Sequence, residues 1–310
     1  MLPMALREGV AVAYGPRPDR AVRMVALEQN AGDRFPLERP GRCGRRFADF
    51  VRGAATVLTA QGRRLPGVDL VIAANLPAGR GLASSAAYLV AVLRAFLAVS
   101  GSEPPTPRQL ADWVQEIELT FGGVPCGAMD PIASAVGAIG KPLLLDCATL
   151  AYDVLSWPAD LEAVAHDTGI ERELSKTPYA ERRRELDEAL AALRHARPTL
   201  HSLVELDSAA FASLAPEVPE PARFRARHVV TEIERVRAAA IAIRASDGAA
   251  LGHLLNEGHR SLSEDFGAST PGVDALAAEL RRQPDVLGVR LQGAGWGGSL
   301  VVLRRRPPEA

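Results

Sequence analysis

Between Leu76 and Ala87 the chain reads LPAGRGLASSAA, which places two glycines, Gly79 and Gly81, and two adjacent hydroxyls, Ser84 and Ser85, just ahead of a helical run. The stretch VDLVIAANL before it predicts a strand, and Ala86, Leu89, Val90, Leu93 and Leu97 recur at helical spacing after it. A strand, a glycine loop and a helix N-terminus in succession present backbone N–H groups that lack intrahelical partners, a place suited to phosphate. Glycine lets backbone approach a ligand closely, and serine hydroxyls can meet phosphate oxygens or the shell of a Mg²⁺ ion. An ordinary N-cap serine is the rival reading of the same residues. The segment is not a Walker loop, because G-x-x-x-x-G-K-[ST] needs a lysine. The two lysines, Lys141 and Lys176, precede Pro142 and Thr177 outside any such loop. Phosphate charge must then be met by backbone dipoles, arginine and a metal.

At 310 residues with 47% apolar side chains, the chain has material for one large domain or two ordinary ones, each with a sizeable core. A net charge of −1 gives no footprint for nucleic acid, and the runs Arg182–Arg184 and Arg304–Arg306 read as solvated faces. No apolar stretch reaches the roughly 18 to 20 residues of a membrane span, and no secretion signal opens the chain, so a cytoplasmic protein with no membrane partner is expected. Cys43, Cys126 and Cys147 are odd in number and lack C-x-x-C spacing, which argues against disulfides and a zinc site. The histidines are scattered without H-E-x-x-H, and no G-x-S-x-G elbow supports a serine hydrolase.

Residues 1 to about 155 read as a mixed α+β domain: VAVAY and VRMVAL as strands, GRRFADFVRGAATVLTAQG as a helix, LLLDC as a late strand. Residues 156 to 310 read as a second domain. In it Tyr179–Arg197 is helical, and Pro198, Pro216, Pro219 and Pro221 punctuate a connection. Helices are then expected near 224–246, 249–263 and 273–282, followed by a two-stranded unit VLGVRLQ-GAGWGG-SLVVL.

Two carboxylates stand out. The helix Gln109–Phe121 turns Leu110, Trp113, Val114, Ile117 and Phe121 to one face, with Glu118 about 80° from its centre, at the core boundary. Glu116 projects away, so Glu118 is the better metal ligand or pKa-shifted group; the bland reading is a rim carboxylate paired with an arginine. Next, GGVPCGAMDPIASAVG presents Asp130 at the start of a helix, as a base for a hydroxyl proton or simply as an N-cap with Pro131 at N1. GAGWGG at Gly293–Gly298 satisfies G-x-G-x-x-G, yet no helix and parallel strand follow, which excludes a dinucleotide fold. Its missing side chains would let two domains or a ligand press close.

In this order the three segments resemble the GHMP small-molecule kinases, and more closely the galactokinases: LPAGRGLASSAA their phosphate loop, FGGVPCGAMD their catalytic segment, GVRLQGAGWGG their C-terminal glycine motif. PYAERRREL, RARHVVTEIERV and LGHLLNEGHRSLSEDFGAST extend the likeness over essentially the whole chain. The resemblance implies a two-domain GHMP-kinase fold, an N-terminal mixed α+β domain and a ferredoxin-like C-terminal one, with ATP at their cleft. It implies that Gly79, Gly81, Leu82, Ser84, Ser85 and Ala86 cradle ATP, with Ser84 or Ser85 and Glu118 completing a Mg²⁺ shell. Asp130 would be base or charge stabiliser, and Gly127 and Tyr179 would meet the sugar. The implied reaction is transfer of the γ-phosphoryl group of ATP to the anomeric hydroxyl of galactose by a monomer or weak homo-oligomer.

Two departures qualify the expected acceptor. The galactokinase N-terminal signature, with its arginine and Glu-His-x-Asp cluster, would lie just before MLPMAL, so the start is expected to have been set too late; the upstream reading frame tests this. Pro131 stands where the family has glutamine, which removes an amide and a backbone donor beside Asp130. The alternatives are a kinase for another sugar or small alcohol, and a catalytically impaired relative that binds ATP and sugar as a regulator.

Overall fold

Val22, Met24 and Ala26 alternate with Arg23 and Val25, a period of two that commits one face of a strand to a core. The computed structural model, which describes residues 1–77, 79–123, 126–170 and 177–306, divides into two compact units. The first comprises Met1, Pro3–Ala78 and Ala83–Val154; the second comprises Leu2, Gly79–Leu82 and Leu155–Ala310.

In the first unit strands β1 (Val10–Arg17), β2 (Ala21–Ala26) and β3 (Ala31–Pro36) lead into helix α1 (Arg46–Ala60) and strand β4 (Gly67–Ala74). Helices α2 (Ser84–Val99), α3 (Pro107–Thr120) and α4 (Met129–Val136) follow, then the short pair β5 (Leu143–Leu145) and β6 (Tyr152–Val154). The sheet order is β1-β4-β2-β3, with β4 antiparallel to β1 and parallel to β2. Val22, Met24, Leu70 and Ile72 turn one face onto Leu58, Leu89, Leu93, Phe96 and Ile117 of the helices. On the other face Asp69 receives Arg17 and Arg23 at 2.9 and 2.8 Å. The opening residues pair with β5, where the Leu143 and Leu145 N–H groups donate to the Pro3 and Met1 carbonyls.

Local sequence explains the helices that matter for function. Thr106 caps α3 in a reciprocal box with Gln109, and Pro107 at the first position has no N–H to satisfy. At Gly53 an added Cβ would sit 2.7 Å from Ile117, so α1 and α3 touch closely. Buried Trp113, Val114 and Ile117 then fix the rotation of α3.

The second unit carries strand β7 (Leu161–Asp167), helices α5 (Tyr179–Ala196), α6 (Ser208–Leu214), α7 (Ala222–Arg244), α8 (Gly248–Ser261) and α9 (Pro271–Leu280), and strands β8 (Val286–Leu291) and β9 (Ser299–Arg305). β9 lies centrally, antiparallel to β7 and β8. Helix α8 ends in a π-helical turn, Leu262–Phe266, closed by left-handed Gly267. Strand β7 and helix α6 were not anticipated from sequence: LEAVAHD carries three charged or titratable side chains in seven, and α6 lies inside the proline-punctuated stretch. No described helix is long and apolar enough to cross a membrane.

Two histidines are buried in this unit. Ser261 Oγ donates to Asp265 at 2.9 Å, so its 2.9 Å contact with His228 Nδ1 is made by the His228 proton. His259 Nδ1 accepts the Leu291 N–H at 3.1 Å. Burial lowers both to about 4, with Arg281 also acting on His259. An unfolded histidine protonates near pH 6.5, so below that the unfolded chain binds more protons. This stability is fully present above pH 6.5 and drains as pH falls towards 4. The melting temperature is therefore expected to drop between pH 7 and pH 4.5, and less so in His228→Met; an equal drop in both proteins would contradict the assignment.

Candidate active site

Strand β4 delivers the glycine loop from a fixed base. The Ala74 N–H donates to Glu28 at 2.7 Å, and Asn75 and Gly9 exchange bonds, the Gly9 N–H reaching Asn75 Oδ1 at 2.7 Å. Beyond it Gly79, Gly81 and Ala83 have φ of 74°, 73° and 56°, alternate left-handed residues that curl the backbone. The first intrahelical bond of α2 runs from Ala87 N–H to Ala83 C=O, so the N–H groups of Ser84, Ser85 and Ala86 have no intrahelical acceptor. Ala83 is the N-cap and accepts nothing through a side chain; the serines occupy the first two helical positions. The N-cap reading of the serines is thus corrected: the left-handed turn at Ala83 ends the loop one residue earlier.

Left-handed alanine is disfavoured by roughly 1–2 kcal/mol, a cost absent for glycine. Gly81→Ala is therefore expected to lower stability by about 1 kcal/mol and Ala83→Gly not to lower it, as read by denaturant titration. Equal destabilisation by the two would contradict the loop conformation. Residues Gly79–Leu82 belong to the second unit, where Arg80 pairs with Asp167 at 3.1 Å and its carbonyl accepts the Ser299 hydroxyl at 2.8 Å.

In the first unit α2 packs against α3 and α4. Glu118 on α3 lies deeper than the core boundary, at 5% exposure, while Glu116 is exposed. No arginine pairs with Glu118 among the described residues, which removes the rim ion-pair reading, and its buried Oε1 has no hydrogen-bond partner there. A carboxylate oxygen stripped of water and left without a donor is costly unless a cation meets it. The donor set of carboxylate and serine hydroxyl suits a hard cation such as Mg²⁺. No group of three metal-binding side chains occurs among the described residues, so phosphate oxygens and water would have to supply the remaining ligands.

Asp130 lies at the second position of α4, whose N-cap is Ala128, with Pro131 next. The N-cap reading of Asp130 is corrected accordingly. Pro131 falls in the first turn, where an N–H would lack an intrahelical acceptor, so its missing donor leaves the helix intact. Cys126 lies near both acids: burial, then the charge and hydrogen bonding of Glu118, then the charge of Asp130, push its thiol well above the ordinary range. It therefore stays protonated and is no nucleophile. An added Cβ at Gly127 would meet no heavy atom within 4 Å, leaving its backbone open to a ligand. In the second unit Tyr179 is the half-buried first residue of α5.

The segment Gly293–Gly298 is filled by backbone of its own unit. Trp296 N–H donates to Ala268 at 2.6 Å and Gly298 N–H to Ile170 at 3.0 Å; a Cβ on Gly297 (φ 134°) would sit 2.6 Å from the Ile170 carbonyl. Gln115, on the same flank of α3 as Glu118, donates to the Cys126 carbonyl at 3.0 Å; sequence reading passed over it because glutamine on a helix carries no signal of its own.

The lysine-free glycine loop leads into α2, and the helices packed on α2 carry the buried Glu118 on α3 and Asp130 on α4. The chain belongs to the GHMP kinase family: the model described as the GHMP kinases N terminal domain matches residues 49–138, and that for the GHMP kinases C terminal matches 239–310. Within it the similarity is to galactokinases. The galactokinase of Roseiflexus sp. (strain RS-1) is 37% identical over 311 residues, covering 99% of this chain and 78% of that protein. That of Thermococcus kodakarensis is 35% identical, covering 98% and 83%. The Lactococcus lactis galactokinase solved with galactose superposes with a TM-score of 0.92 at 29% identity, covering 98% of this chain and 79% of that one. A more remote match is the L. major mevalonate kinase, at TM-score 0.64 and 18% identity, covering 97% and 79%, a likeness of fold alone.

Proposed function

We propose that the protein phosphorylates galactose to galactose 1-phosphate with ATP as donor. The observation that carries this is the 35–37% identity to galactokinases over nearly the whole chain, in which a lysine-free glycine loop leads into α2 and Asp130 lies on α4. Glycines 79 and 81, Leu82 and the N–H groups of Ser84, Ser85 and Ala86 receive the triphosphate, with the positive end of α2 opposing its charge. Glu118 and Ser85, or Ser84, would hold Mg²⁺, which when bound would neutralise charge on the phosphoryl oxygens.

Gly127 and Tyr179 meet the sugar, and Asp130 orients its anomeric hydroxyl. As the bond from that oxygen to the γ-phosphorus forms and the bond to the β,γ-bridging oxygen breaks, the hydroxyl proton passes to Asp130 and ADP leaves. Positioning and charge neutralisation supply most of the acceleration. The need for ATP, with Cys43, Cys126 and Cys147 as free thiols, supports a cytoplasmic enzyme.

The test is ADP release by the protein with ATP, Mg²⁺ and a panel of hexoses. Galactose is expected to give the highest kcat/KM. Faster turnover of another sugar would assign the acceptor differently, the outcome that Pro131 beside Asp130 makes worth including; binding of ATP and sugar without turnover would indicate a regulatory relative.

A further inference from the structure

Two polar side chains of helix α3, Gln115 and Glu118, reach Cys126 in the segment that leads into α4, and only Glu118 has a role in the proposed chemistry. Gln115 lies one turn earlier on the same flank, since residues three apart on a helix are neighbours. Its side chain is half-buried, whereas Asp112 and Glu116 beside it are exposed. Nε2 of Gln115 donates to the Cys126 carbonyl across 3.0 Å, joining residues eleven apart in sequence.

The bond bears directly on Asp130. Cys126 begins the described stretch that enters α4, Ala128 is the N-cap, and the Ile132 N–H to Ala128 carbonyl bond of 3.1 Å closes the first turn around Asp130. The Cys126 backbone therefore anchors the helical turn that carries Asp130. Its carbonyl is tied to the face of α3 that also presents Glu118, so one short strut spans the cation-binding carboxylate and the proton-accepting one. The Cys126 thiol lies against Glu118 on the same side.

We infer that Gln115 is a positioning residue, whose amide sets the separation of Glu118 and Asp130 by holding the Cys126 carbonyl against α3. This rests on the proposed kinase reading. A misplacement of about 1 Å in a phosphoryl-transfer site is enough to cost roughly 100-fold in rate.

The variants are Gln115→Met and Gln115→Leu, both good helix formers without a donor, so that failure of one to fold leaves the other. The expected result is a fall in kcat of about 10- to 100-fold, with KM for ATP within about threefold and an unchanged far-UV spectrum. A general structural role would instead lower the melting temperature and raise both KM values together. That pattern, or a kcat within twofold of the parent in a folded variant, overturns the inference. The contact is also read without turnover, by the ¹³C shift of the Cys126 carbonyl in selectively labelled protein. The shift is expected to move in Gln115→Met, and an unmoved shift overturns the tether. Parent protein inactive on every hexose, with the carbonyl shift moving, would sink the kinase reading and leave the tether standing.

Discussion

Asp130→Asn is expected to abolish phosphoryl transfer while leaving nucleotide binding intact. The amide keeps the shape of the carboxylate and one acceptor oxygen, but it takes no proton and carries no charge. Proton transfer by a positioned side chain contributes about 10²- to 10⁴-fold, and the lost charge adds to that. The isosteric amide is expected to keep the fold, read as an unchanged far-UV spectrum; the share of any cost that comes from the dipole of α4 is only about 0.3–1 kcal/mol. Coupled ADP release with galactose measures the first part and calorimetric titration with ATP the second. A rate within tenfold of the parent would remove Asp130 from the chemistry.

Glu118→Gln is expected to act in opposite directions on stability and activity. The carboxyl group is buried at 5% exposure with Oε1 unpartnered among the described residues, so without a cation that oxygen is desolvated and uncompensated, while the Cys126 thiol hydrogen-bonds the group. Neutralising it should leave the melting temperature in chelator unchanged or higher. Activity should require much more Mg²⁺, with an apparent affinity weaker by about 100-fold, since even partners behind the ligands of a metal site contribute roughly 10- to 100-fold. Titration of turnover with Mg²⁺ at saturating ATP checks the activity arm. A loss of stability with an unchanged Mg²⁺ requirement would make Glu118 a structural residue.

Much of this site can be read along the chain because its parts are local. The glycine and serine loop lies within twelve residues, and strand and helix periods on either side betray its setting. The helix around Asp130 is announced by the turn-forming glycines before it. Contacts between distant segments leave no such trace. Glu118 reads as a boundary residue from its angle on α3, yet the structure buries it, because the angle describes one helix and burial depends on what packs against it. Gln115 is invisible for the same reason. Ala83 also escaped notice: a left-handed alanine contradicts its local preference and is held there by the loop on one side and α2 on the other.

By itself the sequence determined the strand–loop–helix unit, the two carboxylate-bearing helices, the absence of a Walker lysine and the resemblance to a kinase family. All of these follow from spacing and residue type within short windows, where backbone periodicity and side-chain chemistry act directly. Tertiary structure alone decided the parallel pairing of β2 with β4, the edge place of β7 beside β9, the burial of Glu118 and the strut from Gln115 to Cys126. Each is a relation between segments remote in sequence, set by which apolar faces bury one another, and no single window of residues encodes it.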